Sequence, residues 1–443
     1  MTSTTSTQLT SASAMQLARL VRDRVVSSVE VVQAHLERVE RVNASLNAVV
    51  QLDAERALAA ARSADERVAR REPTGPLHGV PFTAKDNLET AGVITAIGVP
   101  ERASCVPERD ATVVARMRAA GAILLGKTNC PPWGAGGTTE NDVYGRTNNP
   151  YDLARTPGGS SGGEAAAIAA GLSPCGLGTD SGGSLRQPAH FCGVACLKPT
   201  AGLVPLTGLV DDDGLPGAIS DPRTQIGPLA RSVEDLAHVL AAIAGPGPLE
   251  PDAAPVALGD APAVAVRGLR AAAHVENGLV EPAGETRTAL AAAEGALVEA
   301  GVLVDERPPP PGGHEVTLEI WSSYSGRMRS DDLYGVLRRW DAYRRLMLEF
   351  MEPYDAILCP VFTCAAVRHE DTAGPRLRNG VSYTTPFSLT GWPAAVVRAG
   401  SSADGLPVGV QIVARPWHDH VALALAAAVE RALGGWSAPG LDD

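Results

Sequence analysis

The most constraining feature of this chain is a pair of glycine-rich loops, each with central serines, joined by an alanine-rich segment. The loops read GGSSGG and GTDSGGS, and both lie in the run from Thr156 to Thr200. Glycine lets a backbone turn sharply and brings its N–H groups close to a bound ligand. We therefore expect the two loops to form one site for an oxyanion or a phosphate, with serines that need a base to become catalytic.

The composition is typical of a soluble globular protein with many turns. The 443 residues are 45% apolar and 20% charged, with 46 glycines and 34 prolines. The formal net charge is −12 and there is no Lys/Arg run, which disfavours nucleic acid and anionic membranes as partners. The seven cysteines lack CxxC pairs, so we expect reduced structural thiols rather than disulfides or a zinc site.

The N-terminus is rich in serine and threonine and lacks the basic and apolar regions of a signal peptide. No apolar stretch reaches the length of about 18 residues that a membrane-spanning helix needs. We therefore expect a flexible tail over residues 1–8 and a cytoplasmic protein that does not bind membranes.

Local patterns alternate between helix and strand signals, which predicts an α/β fold. A capping box at Ser27 and Glu30 predicts a docking helix. The stretch from Asp110 to Ala120 predicts a helix capped by Asp110, followed by the strand AILLG. Because candidate strands come from both ends of the chain, the prediction is a single domain over residues 9–443, with an excursion near residues 245–355.

The excursion is expected to shape the substrate pocket, because the segments Val204–Leu215 and His314–Tyr354 mix aromatic, aliphatic and arginine side chains. Helical spacing runs from Glu315 to Met351 and carries four aromatic residues, Trp321, Tyr324, Trp340 and Tyr343. We expect these aromatics to pack in the core rather than to line a pocket.

The base that the serines need has several candidates. Ser160 fits the pattern G-x-S-x-G of an α/β-hydrolase, but no apolar strand precedes it, and the histidines worth naming, His190 and the His418-Asp419-His420 cluster, are expected to be structural. Phosphate binding is disfavoured because Glu164 follows the first loop where a P-loop carries lysine. Lys85 follows an apolar strand and is either a desolvated base or a surface lysine paired with Asp86 or Glu89.

Taken together, these segments strongly resemble the amidase signature family. The resemblance rests first on GVPFTAKDN, GGSSGGEAAAIAAG and GTDSGGSLRQPAHFCGVACLKPT. It extends over nearly the whole chain through GAILLGKTN, GGTTEN, YGRTNNPYD, IGPLARSVEDLA, YDAILCPV, SLTGWPAAVV and GLPVGVQIVARP, and is weakest in the two segments expected to shape the pocket. The resemblance implies a single large α/β domain with a central twisted mixed β-sheet flanked by α-helices.

The resemblance also implies a Ser-Ser-Lys triad, with Lys85 as base, Ser160 as a bridging serine after a cis peptide bond, and Ser184 as nucleophile. The backbone amides expected to form the oxyanion hole belong to Ser181, Gly182, Gly183 and Ser184. Asp180 and Arg186 are expected to form a buried pair that supports the loop, and Gly134, Ala135 and Gly136 match a region that contacts substrate. No metal or cofactor is implied.

The implied activity is hydrolysis of carboxamide C–N bonds, with aryl or alkyl amides as expected substrates. The same acyl-enzyme chemistry would serve a carbamate (urethane) or ester hydrolase, and the sequence does not rank these alternatives. The family also includes an amide-transferring component of a tRNA amidotransferase; that component carries KPT-Tyr-Gly where this chain has Ala201-Gly202 after KPT, which favours a stand-alone hydrolase, monomeric or homodimeric. A non-catalytic binding protein on the same fold is the remaining alternative.

Overall fold

Strands from both ends of the chain build one large sheet. The computed structural model describes residues 5–210, 223–247, 250, 253–308, 310, 317, 319–320, 322, 330–374 and 379–441. Its strands are β1 (Val49–Leu52), β2 (Pro81–Lys85), β3 (Ile123–Thr128), β4 (Glu140–Asn141), β5 (Gly145–Arg146), β6 (Cys175–Asp180), β7 (Ala195–Lys198), β8 (Gln225–Ala230), β9 (Arg270–Ala273), β10 (Leu303–Glu306), β11 (Ala356–Pro360), β12 (Ala394–Ser401) and β13 (Pro407–Ala414). Among these described strands, eleven join in the order β1-β3-β2-β6-β8-β7-β12-β13-β11-β9-β10, and β4 pairs with β5.

The sheet contains both parallel and antiparallel neighbours. Strand β2 runs parallel to β3 and β6, and β9 runs parallel to β10 and β11. The other neighbouring pairs are antiparallel. The predicted α/β class with a mixed central sheet is therefore confirmed.

Helices cover both faces of this sheet. They are α1 (Ser6–Ser11), α2 (Ala14–Arg22), α3 (Ser28–Leu46), α4 (Ala54–Ala69), α5 (Thr112–Ala119), α6 (Gly162–Ala169), α7 (Arg186–Cys192), α8 (Val233–Ile243), α9 (Gly284–Glu299), α10 (Ser330–Met351), α11 (Thr385–Thr390) and α12 (Asp419–Leu433). Within the ranges described above, no helix is long and apolar enough to cross a membrane.

The core forms two layers because side chains alternate along each strand. On β12, Ala395 and Val397 pack in the cluster that includes α2, α5, α8, α9 and α12. The intervening Val396 packs with the alanines of α6 and with Ala189 of α7 on the other face. The alanine-rich segment between the glycine loops is thus a fully buried helix that lies directly against the sheet.

The predicted docking helix is confirmed, since Ser27 caps α3 and forms the capping box with Glu30. The predicted cap at Asp110 is wrong. The helix begins at Thr112, and its cap residue Ala111 makes no side-chain cap bond. Asp110 instead accepts the Ala91 amide at 2.8 Å and pairs with Arg118 at 3.1 Å.

The predicted tail over residues 1–8 differs from the structure at its C-terminal end. Residues 6–8 belong to α1, where Thr5 and Gln8 form a capping box that satisfies the first backbone amides. Leu9 and Thr10 of the same helix are buried. Residues 1–4 lie outside the described part of the chain.

The excursion near residues 245–355 extends the main sheet, because β9 pairs with β11 and β10 forms the next strand outward. Trp340 and Tyr343 of α10 pack in a buried cluster with residues of β11 and α11, which confirms the expected core role for these two aromatics. Trp321 and Tyr324 lie outside the described residues, as do residues 211–215 of the predicted pocket segment.

Candidate active site

The site lies where two neighbouring parallel strands end. Lys85 is the last residue of β2, and Thr179 and Asp180 end β6. Because β2 and β6 are parallel, their carboxyl ends meet at the same edge of the sheet, the position at which α/β proteins commonly bind ligands. Both glycine loops begin or return at this edge.

Lys85 is a buried amine with two hydroxyl partners. Its side chain is fully buried, and Nζ lies 2.6 Å from Ser160 Oγ and 2.6 Å from Thr179 Oγ1. Burial lowers the pKa of Lys85 to about 8, although the nearby Cys130, Asp180 and Glu164 act to raise it. Of the two interpretations left open by the sequence, the desolvated lysine is the one found; the neighbouring Asp86 lies 3.6 Å from Lys127 instead.

The first glycine loop places Ser160 over Lys85 and connects to the second loop. The Gly159–Ser160 peptide bond is cis. Ser161 Oγ donates to the Thr179 carbonyl at 3.1 Å, and the Ser161 amide donates to the Ser184 carbonyl at 3.1 Å. The two loops therefore meet at one site, as expected from their glycines and serines.

The second glycine loop is wrapped around the carboxylate of Asp180. Asp180 accepts the backbone amides of Gly183 at 2.8 Å and Leu185 at 3.1 Å, and the Arg186 guanidinium binds both carboxylate oxygens at 2.9 Å. Both side chains of the ion pair are fully buried. Burial acts to raise the pKa of Asp180, but the Arg186 charge and its hydrogen bonds outweigh burial and hold this pKa below its usual value. The geometry is that of the expected structural pair.

Arg186 ties this loop to a distant part of the chain. Its guanidinium also donates to the Thr384 carbonyl and to Ser388 Oγ, each at 2.8 Å. Thr384 Oγ1 in turn donates to the Gly182 carbonyl at 2.6 Å. The segment around α11 thus fixes the backbone orientation of the nucleophile loop.

The four amides expected to form an oxyanion hole are not equivalent. Among the described residues, the amides of Ser181, Gly182 and Ser184 have no acceptor. The Gly183 amide differs, because it already donates to Asp180. Ser184 is half-buried, whereas Lys85 and Ser160 lie beneath the surface, so the amides next to Ser184 are accessible to a bound molecule.

The residues expected to contact substrate lie beside Lys85. A Cβ at Gly134 would lie 3.0 Å from Asn87 Nδ2 and 3.7 Å from Lys85 Nζ. Gly134 has φ +68°, and Ala135 and Gly136 continue outward as exposed residues. Asn87 is itself buried, and its Oδ1 has no hydrogen-bond partner within the described structure. These residues border the approach to the amine.

Three further residues of the site were not assigned a role from the sequence. Thr179, the second partner of Lys85, stands inside the quoted motif GTDSGGS and could have been found from its position at the end of an apolar strand. Glu164 is fully buried against β2 and β3. Thr384 lies 200 residues from Ser184, and no local sequence signal marks it.

The alternative bases are placed elsewhere. Both ring nitrogens of His190 contact backbone groups of Gly409 and Cys364, within about 3 Å. Asp419 accepts two hydrogen bonds from Thr200, and His418 stacks on His420. Among the residues that the structure describes, no group of three or more His, Cys, Asp or Glu is placed to hold a metal ion.

The arrangement joins an amine that is neutral near neutral pH, a bridging hydroxyl and a serine beside free amides. These are the parts of nucleophilic acyl transfer: a base, a nucleophile and donors for a developing oxyanion.

Comparisons with known proteins agree with this geometry. The amidase family model matches residues 30–331 and 315–423. The A-type component of glutamyl-tRNA(Gln) amidotransferase from Moorella thermoacetica is 36% identical over 94% of this chain and 96% of its own. An acylamidase from Rhodococcus erythropolis is 35% identical over 94% of each chain. The solved structure of 6-aminohexanoate cyclic dimer hydrolase matches with a TM-score of 0.83 and 29% identity, over 98% of this chain and 99% of the other. The chain therefore belongs to the amidase family, among the amidase signature enzymes that act on carbon–nitrogen bonds.

Proposed function

We propose that the protein is a hydrolase that cleaves carboxamide C–N bonds through an acyl-enzyme on Ser184, with Lys85 as the base and Ser160 as the relay between them. The observation that carries the proposal is the buried Lys85 amine 2.6 Å from Ser160 Oγ, in a loop whose next amide is bonded to the Ser184 carbonyl. A base must lie within hydrogen-bond reach of the proton it accepts, and Lys85 meets this requirement at Ser160.

In the first step, neutral Lys85 accepts the proton of the Ser160 hydroxyl, and Ser160 accepts the proton of Ser184. Ser184 Oγ then attacks the substrate carbonyl carbon. Because burial lowers the pKa of Lys85 to about 8, a useful fraction of this amine is neutral near physiological pH. The hydrogen bond with Thr179 holds the amine beneath Ser160 during this transfer.

The negative charge that develops on the carbonyl oxygen is stabilised by backbone amides of the nucleophile loop. The amides of Ser181, Gly182 and Ser184 are the available donors, and Gly183 keeps the loop in place through Asp180. The Arg186–Asp180 pair and Thr384 hold these amides in position before substrate arrives. Donors fixed in advance need no reorganisation as charge forms.

Cleavage of an amide requires a proton on the leaving nitrogen. The proton held by Lys85 returns through Ser160 to this nitrogen, the C–N bond breaks, and the amine departs. Water then attacks the acyl-enzyme by the same relay and releases the acid and free Ser184. Each step uses groups that the chain itself provides.

We propose aryl or alkyl amides as substrates, as suggested by the acylamidase relative, with carbamates and esters as the alternative substrates of the same triad. Asn87 Oδ1 supports an amide, because this buried acceptor lacks a partner in the described structure and a substrate N–H would supply one. We further propose a cytoplasmic monomer or homodimer.

A second candidate function is that of an amidotransferase component, which is favoured by the 36% identity to the A-type component of glutamyl-tRNA(Gln) amidotransferase. The two functions are distinguished by assaying the purified chain alone. A stand-alone hydrolase turns over simple amides without partners, whereas a component of a complex shows glutaminase activity only after its partner proteins are added.

The test of the main proposal is a panel of kcat/KM values for an aliphatic primary amide, an anilide, a p-nitrophenyl ester and an aryl carbamate. We expect measurable turnover of amides by the wild-type protein and loss of every activity in Ser184→Ala. Ester or carbamate turnover without amide turnover would move the assignment to the alternative substrate class. Amide turnover that survives Ser184→Ala would contradict the proposal.

A further inference from the structure

A buried carboxylate lies next to the Lys85–Ser160 pair and has no part in the mechanism given above. Glu164 is in the first turn of α6, four residues after Ser160, and its side chain is fully buried. One carboxylate oxygen accepts the Thr83 hydroxyl and the other accepts the Thr128 hydroxyl at 2.7 Å. A buried carboxylate is costly unless hydrogen bonds or charges compensate it, so its presence at this position requires an explanation.

The sheet is shaped to receive this carboxylate. Thr83 and Lys85 are two residues apart on β2 and therefore point to the same face of the sheet. Opposite them, a Cβ at Gly176 of β6 would overlap Glu164 Oε1, so glycine leaves the space that the carboxylate fills. The first turn of α6 is thus fixed to β2 and β3 by Glu164, while Ser160, just before this turn, is fixed to Lys85.

We propose that Glu164 is a positioning residue for the Lys85–Ser160 pair, which holds Ser160 over Lys85 through α6 and supplies a negative charge near the Lys85 amine. This inference rests on the function proposed above, because it assigns Lys85 the role of base. Glu164 does not touch the substrate or the reacting atoms.

The electrostatics give the inference a measurable sign. Burial raises the pKa of Glu164 to about 7, against the hydrogen bonds from Thr83 and Thr128 and the charges of Lys127 and Lys85, which lower it. In its ionised form Glu164 acts to raise the pKa of Lys85. The other titratable groups that act on these two are Lys127 on β3, Asp180 and Cys175 on β6, Cys130 after β3, and, through Lys127, Asp86 after β2.

Because Glu164 and Lys85 interact, their two protons are lost in coupled steps around neutral pH. Removing the Glu164 charge destabilises the ammonium form of Lys85. Lys85 then becomes neutral at a lower pH, so the acid limb of the pH profile for kcat/KM moves toward lower pH. A residue that only fills space in the core would not move this limb.

The experiment compares wild type with Glu164→Gln, which keeps the shape and one acceptor while removing the charge. The measurement is kcat/KM for one amide from about pH 5 to about pH 10, with the rate of fluorophosphonate labelling of Ser184 as a second readout. We expect the acid limb of both profiles to move down by about 0.5–1 pH unit in the variant. The matched control is Glu55→Gln, an exposed glutamate in the first turn of α4, which should leave the profile unchanged.

An acid limb that stays in place, or moves to higher pH, in folded Glu164→Gln would overturn the inference. If this variant does not fold, Thr128→Val replaces it. Loss of the Thr128 hydrogen bond disfavours the ionised form of Glu164, so the limb should again move down, and no movement would overturn the inference. Failure of wild type to label at Ser184 would overturn the proposed function as well, whereas normal labelling with an unmoved limb would overturn the role of Glu164 alone.

Discussion

Replacing Arg186 with methionine would leave the Asp180 carboxylate buried without its charged partner. Both side chains are fully buried, and Arg186 supplies two hydrogen bonds of 2.9 Å to Asp180 and one each to Thr384 and Ser388. Breaking a buried pair by removing one partner costs about 3–5 kcal/mol of unfolding free energy, because the remaining charge is uncompensated. We expect Arg186→Met to be destabilised by this amount.

A double-mutant cycle separates the ion pair from simple loss of volume. Asp180→Asn removes the charge while keeping an acceptor for the loop amides, and in the double variant with Arg186→Met no charge is left buried. We expect the double variant to be less destabilised than the sum of the single variants, with a coupling energy of about 1–3 kcal/mol. Urea unfolding followed by both fluorescence and circular dichroism provides the measurement and shows whether the transition is two-state. Additive effects, or an Arg186→Met cost below about 1 kcal/mol, would refute the reasoning.

Two further predictions concern the base and the nucleophile loop. With neutral Lys85 as the base, kcat/KM for amides should rise with pH up to about 8 and then level off, and Lys85→Ala should lower amide turnover by about 100-fold or more while affecting activated esters less; a flat profile or intact amide turnover would contradict this assignment. Gly183→Ala should lower kcat by about tenfold or more, because Gly183 has φ +129° and a Cβ there would lie 2.5 Å from Thr384 Oγ1. Its control is Gly268→Ala, which also has a positive φ but has nothing within 4 Å of the new Cβ, and equal activity losses in both variants would refute a specific role for the loop.

The parts of the site that could be predicted from the sequence are those encoded by neighbouring residues. Ser160, Ser184 and their glycines are contiguous motifs, and the capping box at Ser27 needs only Glu30 three residues later. Such local signals depend on backbone geometry that the motif itself imposes. The identity of Lys85 as a buried amine was undecided until the structure placed Ser160 and Thr179 against it.

The parts that could not be predicted depend on contacts between distant segments. Thr384 braces a loop 200 residues earlier in the chain, and the commitment of the Gly183 amide to Asp180 depends on how that loop turns. Asp110 has the residue type of a helix cap, but the Ala91 amide and the Arg118 guanidinium compete for its carboxylate. A local propensity loses to such tertiary partners when they offer charged or shorter hydrogen bonds.

The central claim is that Ser184 becomes covalently acylated with Lys85 as its base. Intact-protein mass spectrometry after brief mixing with a p-nitrophenyl ester, followed by peptide mapping, tests this claim directly. The account predicts one acyl group per chain on the peptide that carries Ser184, no adduct in Ser184→Ala, and slower adduct formation in Lys85→Ala at pH 8 than in wild type. An adduct on another residue, or an equal yield of adduct in Ser184→Ala, would contradict the account.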